Sequence, residues 1–209
     1  MRRSNHRAAK LIFLTLLWAS WARIGHAQSP YCRSGLNVAI PDTATSQTPG
    51  TPATDTQTIA DTQVLTDANL SLHITHTWVG DLVVNLNKIS GPGSPLTVSI
   101  ITRPGCNNVG EPANGGNAAC GFGCSGDNIL ATFDDAGSDG DLAASCTAGL
   151  NAGPYLPRVG TLSALNGIAL NGDWQISVTD WGAGDTGTIL EWCILTTPLP
   201  VELTGFEVD

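Results

Sequence analysis

The chain has 209 residues, 18 of them acidic and nine basic, and a formal net charge of −9 at pH 7. Five of the basic residues, Arg2, Arg3, Arg7, Lys10 and Arg23, stand before residue 28, which leaves Arg33, Lys88, Arg103 and Arg158 against all 18 acids, a net charge of −14. Such a surface repels nucleic acid and anionic lipid, which excludes both as electrostatic partners, and it draws cations, calcium above all, to its carboxylates.

Residues 1–27 have the order of a secretory signal peptide: the basic start MRRSNHRAAK, the apolar run LIFLTLLWASWA, and small residues in GHA that set cleavage near Ala27. That run is too short to span a bilayer comfortably, and no later stretch is continuously apolar for long enough to do so. The expectation is an exported protein without a membrane span, secreted or cell-surface, extracellular or periplasmic. The remaining length suits one β-rich domain.

LNVAI, residues 36–40, is the first strand candidate. From Pro41 to Thr62 the chain is rich in Thr, Pro and Gly and nearly free of apolar residues, so it reads as an extended or loosely ordered segment that buries little. These pieces form an N-terminal division over 28–63, and the main body follows over 64–197. In LSLHITHTWV the side chains of Leu70, Leu72, Ile74, His76 and Trp78 share one face, the alternation of a half-buried strand. Gly80-Asp81 and a second alternating run, LVVNLNKI, come next, which predicts a β-hairpin with Gly80 in a type II′ turn. Further strands are expected at PLTVSIIT, NILATF, WQISVTD and TILEWCIL, with loops of Gly, Asn, Asp, Ser and Pro between them. No stretch carries a helical period over three turns. The fold class is all-β, a sandwich or jelly roll.

All six cysteines, Cys32, Cys106, Cys120, Cys124, Cys146 and Cys193, lie beyond the leader, and an even count in an exported chain reads as disulfides. Terminal strands of a sandwich often adjoin, which suggests Cys32–Cys193. The others cluster around one loop and suggest Cys106–Cys120 and Cys124–Cys146. A zinc site is the rival reading, but paired CxxC units are missing.

Catalytic patterns are absent: there is no G-x-S-x-G elbow, no H-E-x-x-H and no phosphate loop. Beyond the leader only His73 and His76 remain for acid–base work, and three residues apart on a strand they point to opposite faces. No catalytic residue is assigned. FDDAGSDGDL gathers Asp134, Asp135, Asp139 and Asp141 without the EF-hand spacing. Two readings stand: a solvated acidic loop with Asp-Gly turns, or a calcium site of Asp134 and Asp135 completed by Asp81 and Asp180. Asn69-Leu-Ser is a glycosylation sequon inside a strand candidate.

Three blocks, HTWVGDL, FDDA and LNGDWQISVTDWGAGDTGTILEWCI, together resemble the P domain, or P/Homo B domain, of subtilisin-like proprotein convertases. His76, Gly80, Asp81 and Leu82 fit the first block, Asp135 and Ala136 the second. Gly172, Trp174, Val178, Asp180, Asp185, Gly187 and Trp192 fit the third, with Ile176 and Ile189 where leucine is usual. The likeness runs from about Tyr31 to Leu195. It implies a jelly-roll-like antiparallel β-sandwich of the galactose-binding-like type. Such a module is normally appended to a serine protease domain, which it supports without catalytic residues of its own. The expected partner is therefore a protease or another secreted domain, by association with serine-type endopeptidases and proteolysis. This chain departs from the family arrangement in lacking the subtilisin-type Asp, His and Ser blocks. The tail PLPVELTGFEVD, with residues 198–209 set apart, resembles the opening of C-terminal segments on secreted Bacteroidetes-type proteins, a further domain or sorting segment.

Three functions follow. The first is a stand-alone, non-catalytic accessory module. The second is a truncated or remnant serine protease component. The third is a glycan- or adhesion-type binding sandwich that uses an exposed aromatic such as Trp181 as its platform.

Overall fold

The computed structural model describes residues 29–46, 48–103, 127–139 and 150–196. The leader, Asp141, the pairings among Cys106, Cys120, Cys124 and Cys146, and the tail at 198–209 lie outside the described residues.

Two sheets make up the fold. One has the order β1 (Ser29–Arg33), β10 (Gly187–Thr196), β4 (Ala68–His76), β7 (Ile129–Phe133), β8 (Leu150–Tyr155), with β2 (Val38–Ile40) also paired to β10. The other has the order β3 (Ala53–Ile59), β9 (Gly172–Asp180), β5 (Leu82–Lys88), β6 (Leu96–Thr102). All pairs are antiparallel except β7 with β8, which is parallel. The all-β sandwich expected from the alternation is the architecture found. The described residues also include two short 3-10 turns, Val79–Asp81 and Leu162–Leu165, and among the described residues no helix is long and apolar enough to cross a membrane.

The core follows from period-two alternation. Leu70, Leu72 and Ile74 of β4, Leu82, Val84 and Leu86 of β5, Trp174, Ile176 and Val178 of β9, and Ile189, Trp192 and Ile194 of β10 are essentially inaccessible. Burying side chains of this size contributes roughly 1.5–3 kcal/mol each before the entropy of ordering them is subtracted. The alternation continues past the apolar residues. His76 follows Ile74 inward on β4, Asp180 follows Val178 on β9, and Lys88 follows Leu86 on β5, so charged groups close the core at both ends.

The predicted hairpin does not form. β4 and β5 belong to different sheets, and the Gly80-Asp81 segment is a buried 3-10 turn that carries the chain across the sandwich. Gly80 lacks the positive φ that a type II′ turn requires. Both runs expose an apolar face, and two such faces are buried by stacking across a core rather than by lying side by side.

The Thr-rich segment is also more ordered than expected, because β3 falls inside Pro41–Thr62. Its Thr54, Thr56 and Thr58 face solvent, while Ala53 and Ile59 are buried. Threonine fits a pleated edge strand as well as valine does, so a strand with few apolar residues is stable here. β1 was likewise unforeseen, and it brings Cys32 opposite Cys193, where the expected disulfide is present. A disulfide at this position fits an oxidising compartment.

Candidate functional site

The residues of the first and third sequence blocks meet at one end of the sandwich. His76 ends β4, Asp81 sits in the 3-10 turn, Asp180 ends β9, and Arg103 follows β6; each is 2% exposed or less. His76 Nε2 faces Asp180 Oδ2 at 3.4 Å, and Arg103 Nη2 faces Asp81 Oδ1 at 3.4 Å. The His76 ring is fixed by Trp78: Nδ1 accepts the Trp78 N–H at 3.1 Å or, protonated, donates to Trp78 O at 2.8 Å. Burial pushes the Asp81 carboxyl up to about 6; Arg103 and His76 oppose the shift, while Asp180 and Asp185 add to it.

The backbone is shaped to admit this cluster. A Cβ on Gly182 would lie 1.9 Å from Asp81 Oδ2, and one on Gly187 would lie 2.2 Å from Thr75 O and 2.5 Å from His76 Cδ2. Gly182 N–H donates to Asp180 Oδ1 at 2.9 Å, and Trp181 N–H donates to Asp81 O at 3.0 Å. The non-glycine residues with positive φ among those described are Arg103 (45°) and Asn128 (60°), and both fasten here. Arg103 N–H donates to Leu82 O at 2.8 Å, and Asn128 Oδ1 accepts the His76 N–H at 3.1 Å.

The four proposed calcium ligands are not brought together. Asp81 and Asp180 share the cluster. Asp134 and Asp135 follow β7, whose Phe133 pairs with Leu70, whereas Ile129 pairs with Ile74 beside His76. The two pairs are therefore separated by most of the length of β4, on the order of 20 Å at the rise of a strand. Asp134 accepts from Asn69 Nδ2 at 3.1 Å and from the Ala136 N–H at 2.7 Å. Asp135 accepts the N–H groups of Leu162 and Ser163 at 2.8 and 2.7 Å. These carboxylates hold turns of the described part of the acidic segment. Among the described residues no group of three or more His, Cys, Asp or Glu has an arrangement that could hold a metal ion. Asn69 of the sequon is 5% exposed and already engaged by Asp134.

His73 and His76 do face opposite ways. His73 pairs with Glu191 and Leu130 on the outer side of its sheet, while the His76 and Asp180 side chains are fully buried and out of reach of a substrate. Trp181 is only 7% exposed, so it offers no open platform for a glycan ring.

Three polar groups escaped the sequence reading. Asp55 of β3 accepts from Arg33 Nε and Nη2 at 3.0 and 2.9 Å and from Trp192 Nε1 at 2.7 Å, which ties the edges of the two sheets together. Arg33 holds the Asp55 carboxyl below the usual carboxylate range. Lys88, 1% exposed, lies 4.5 Å from the centre of the Trp174 ring and donates to Asn171 O at 2.8 Å. Burial lowers the Lys88 ammonium below its ordinary value. The signal for Lys88 was available: it continues the inward period of β5 by one step.

No protein-family model matches the chain, and no curated protein matches it. Among solved structures it resembles a serine protease of Aeromonas sobria, with 14% identity and a TM-score of 0.43, and that protease in complex with its chaperone ORF2, with 13% identity and a TM-score of 0.42. In both cases the match covers 81% of this chain and 26% of the other, so the chain spans about a quarter of the length of those proteins.

Proposed function

We propose that this chain is an exported, non-catalytic β-sandwich of the P/Homo B type that stabilises or recruits a partner domain, the partner being a protease or another secreted protein. The observation that carries this reading is the fate of the motif residues. His76 and Asp81 stand about a hundred positions before Asp180 and Gly187, yet they meet in a network closed to solvent. A histidine beside an aspartate could serve as a general base only if a substrate could reach it. Here the pair is sealed beneath a turn, so the most distinctive residues of the chain serve to build its end.

The remnant-protease reading predicts activity, and a direct assay separates the two. The purified chain, incubated with casein and with chromogenic peptide and ester substrates, is expected to show no turnover above buffer. Turnover abolished by a serine-directed fluorophosphonate would overturn the accessory reading.

A further inference from the structure

The two edges of the second sheet are finished differently. At β6 the outward backbone is covered, because Arg158 N–H donates to Ile100 O at 3.0 Å and Gly160 N–H donates to Ser99 O at 3.1 Å. At β3, among the described residues, no backbone group outside β9 bonds the strand. The strand is also straight: ATDTQTI pairs with β9 without a register shift and includes no proline, glycine or lysine. Those are the devices that ordinarily keep an edge strand from pairing with another chain.

The ladder fixes which groups of β3 point outward. Hydrogen bonds of an antiparallel strand alternate between its two neighbours. Asp173 O accepts the Ile89 N–H at 2.9 Å on the β5 side, while Asp180 O accepts the Gly50 N–H at 2.7 Å on the β3 side. Gly172, Trp174, Ile176 and Val178 therefore bond β3, and their register partners are Ile59, Gln57, Asp55 and Ala53. The N–H and C=O groups of Thr54, Thr56 and Thr58 are left pointing away from the sheet, on the residues of β3 that are exposed.

We propose that β3 is a docking edge for a second copy of this chain, the two β3 strands pairing antiparallel about Thr56 so that two four-stranded sheets become one continuous sheet. This pairing is independent of the accessory role. The strand is its own complement: a two-fold axis at Thr56 sets Thr56 against Thr56 of the second copy and Thr54 against its Thr58. Each such pair exchanges two backbone hydrogen bonds, and threonine opposite threonine is a favourable cross-strand pair. Asp55 falls opposite Gln57 of the second copy, so no like charges meet, and Asp55 already holds Arg33 at 2.9 Å. The chain as a whole is acidic and repels its copy, whereas β3 carries a single acid, so two chains approach here at low electrostatic cost. No large apolar side chain is exposed on β3, which makes the contact weak and reversible, with a Kd on the order of 100 μM.

The test is sedimentation of the purified chain over about 10 μM to 1 mM, as wild type, Thr56→Pro and Thr56→Lys. Proline removes an outward N–H and puts its ring in the path of the second strand, while the β9 ladder keeps its donors. Lysine would face lysine on the two-fold axis. The wild-type mass is expected to rise from one copy towards two, more steeply at high salt, where repulsion between the acidic chains is screened. Both variants are expected to raise Kd at least about tenfold. Hydrogen exchange on the wild type identifies the edge: the Thr54, Thr56 and Thr58 amides gain protection with concentration, and those of Asp55 and Gln57, already bonded to β9, do not. A mass fixed at one copy up to about 1 mM, dimers that the variants leave unchanged, or dimers without added protection at the three threonines would overturn the proposal. Should Thr56→Pro fail to fold, Thr56→Lys and the wild-type exchange pattern decide.

Discussion

Gly182 and Gly187 show how tightly single residues are specified at the buried end. A methyl group at Gly182 would overlap the Asp81 carboxylate, whose own position is set by the 3-10 turn and by Arg103. Gly184, two residues on, has open space around its missing Cβ and a φ of +105°. The two glycines therefore answer to different physics, a close approach in one and a backbone conformation in the other. Gly182→Ala is expected to cost roughly 3 kcal/mol by forced displacement of the carboxylate, and Gly184→Ala about 1 kcal/mol by strain. Urea unfolding of the two variants at one pH would measure the difference; equal costs would mean that Asp81 can move aside freely. Gly80, the glycine that the sequence singles out, carries no positive φ and is not where this constraint lies.

At the scale of elements, β1 is the most exposed to loss. It is an edge strand, paired only with β10, yet its position is locked on both faces: by the Cys32–Cys193 disulfide on one and by the Arg33–Asp55 contact on the other. The disulfide closes a sequence separation of 161 residues. Loop-closure entropy for so long a segment is worth up to about 5 kcal/mol, with less expected because native pairing persists. Replacing both cysteines with serine should lower stability by roughly 2–5 kcal/mol, and hydrogen exchange should show the loss first in β1. Unchanged exchange in β1 would mean that the ladder and the ion pair alone hold the strand.

The elements also show what was legible beforehand. β4, β5, β6, β7, β9 and β10 announce themselves by apolar alternation, and His76 and Asp180 could be placed inward by extending it. β3 could not be seen, because its fully buried residues are only its two ends and its inward-facing Asp55 is bonded to Arg33 and Trp192 of other strands. Asp55 is an unremarkable aspartate in a threonine run until Arg33 and Trp192 are brought to it. The hairpin error has the same origin: alternation shows which face a strand buries but not which sheet receives it. Of the four carboxylates grouped for calcium, Asp81 and Asp180 stand at one end of β4 and Asp134 and Asp135 at the other, a separation that residue type does not reveal.

For the whole molecule, the apolar core accounts for cohesion but not for how the sheets are aligned at their margins. Lys88 with Trp174 closes one end and the His76–Asp180 cluster the other. Asp55 bridges the open side, where β3 of one sheet meets β1 and β10 of its partner. The bridge makes a prediction about acid. Hydrogen bonds from Arg33, the largest influence, and from Trp192 hold the Asp55 carboxyl below the range of an unfolded aspartate. A lowered carboxyl contributes stability that is fully present above about pH 4 and disappears as pH falls through its folded value. Its contribution is moderate, since the Arg33 side chain is 41% exposed and water screens the pair. Asp61 and Asp173 are also lowered, but they lie at the surface and add only a shallow background. Asp55→Asn removes the charge and keeps the shape, leaving an amide that Trp192 can still reach. The variant should be less stable at pH 7 by roughly 1–2 kcal/mol, and it should lose less than wild type on acidification from pH 4.5 to 2.5. Denaturant unfolding across that range provides the comparison. If both proteins lose stability with the same slope, the sheets are aligned by apolar packing alone and the Asp55 bridge is incidental to the fold.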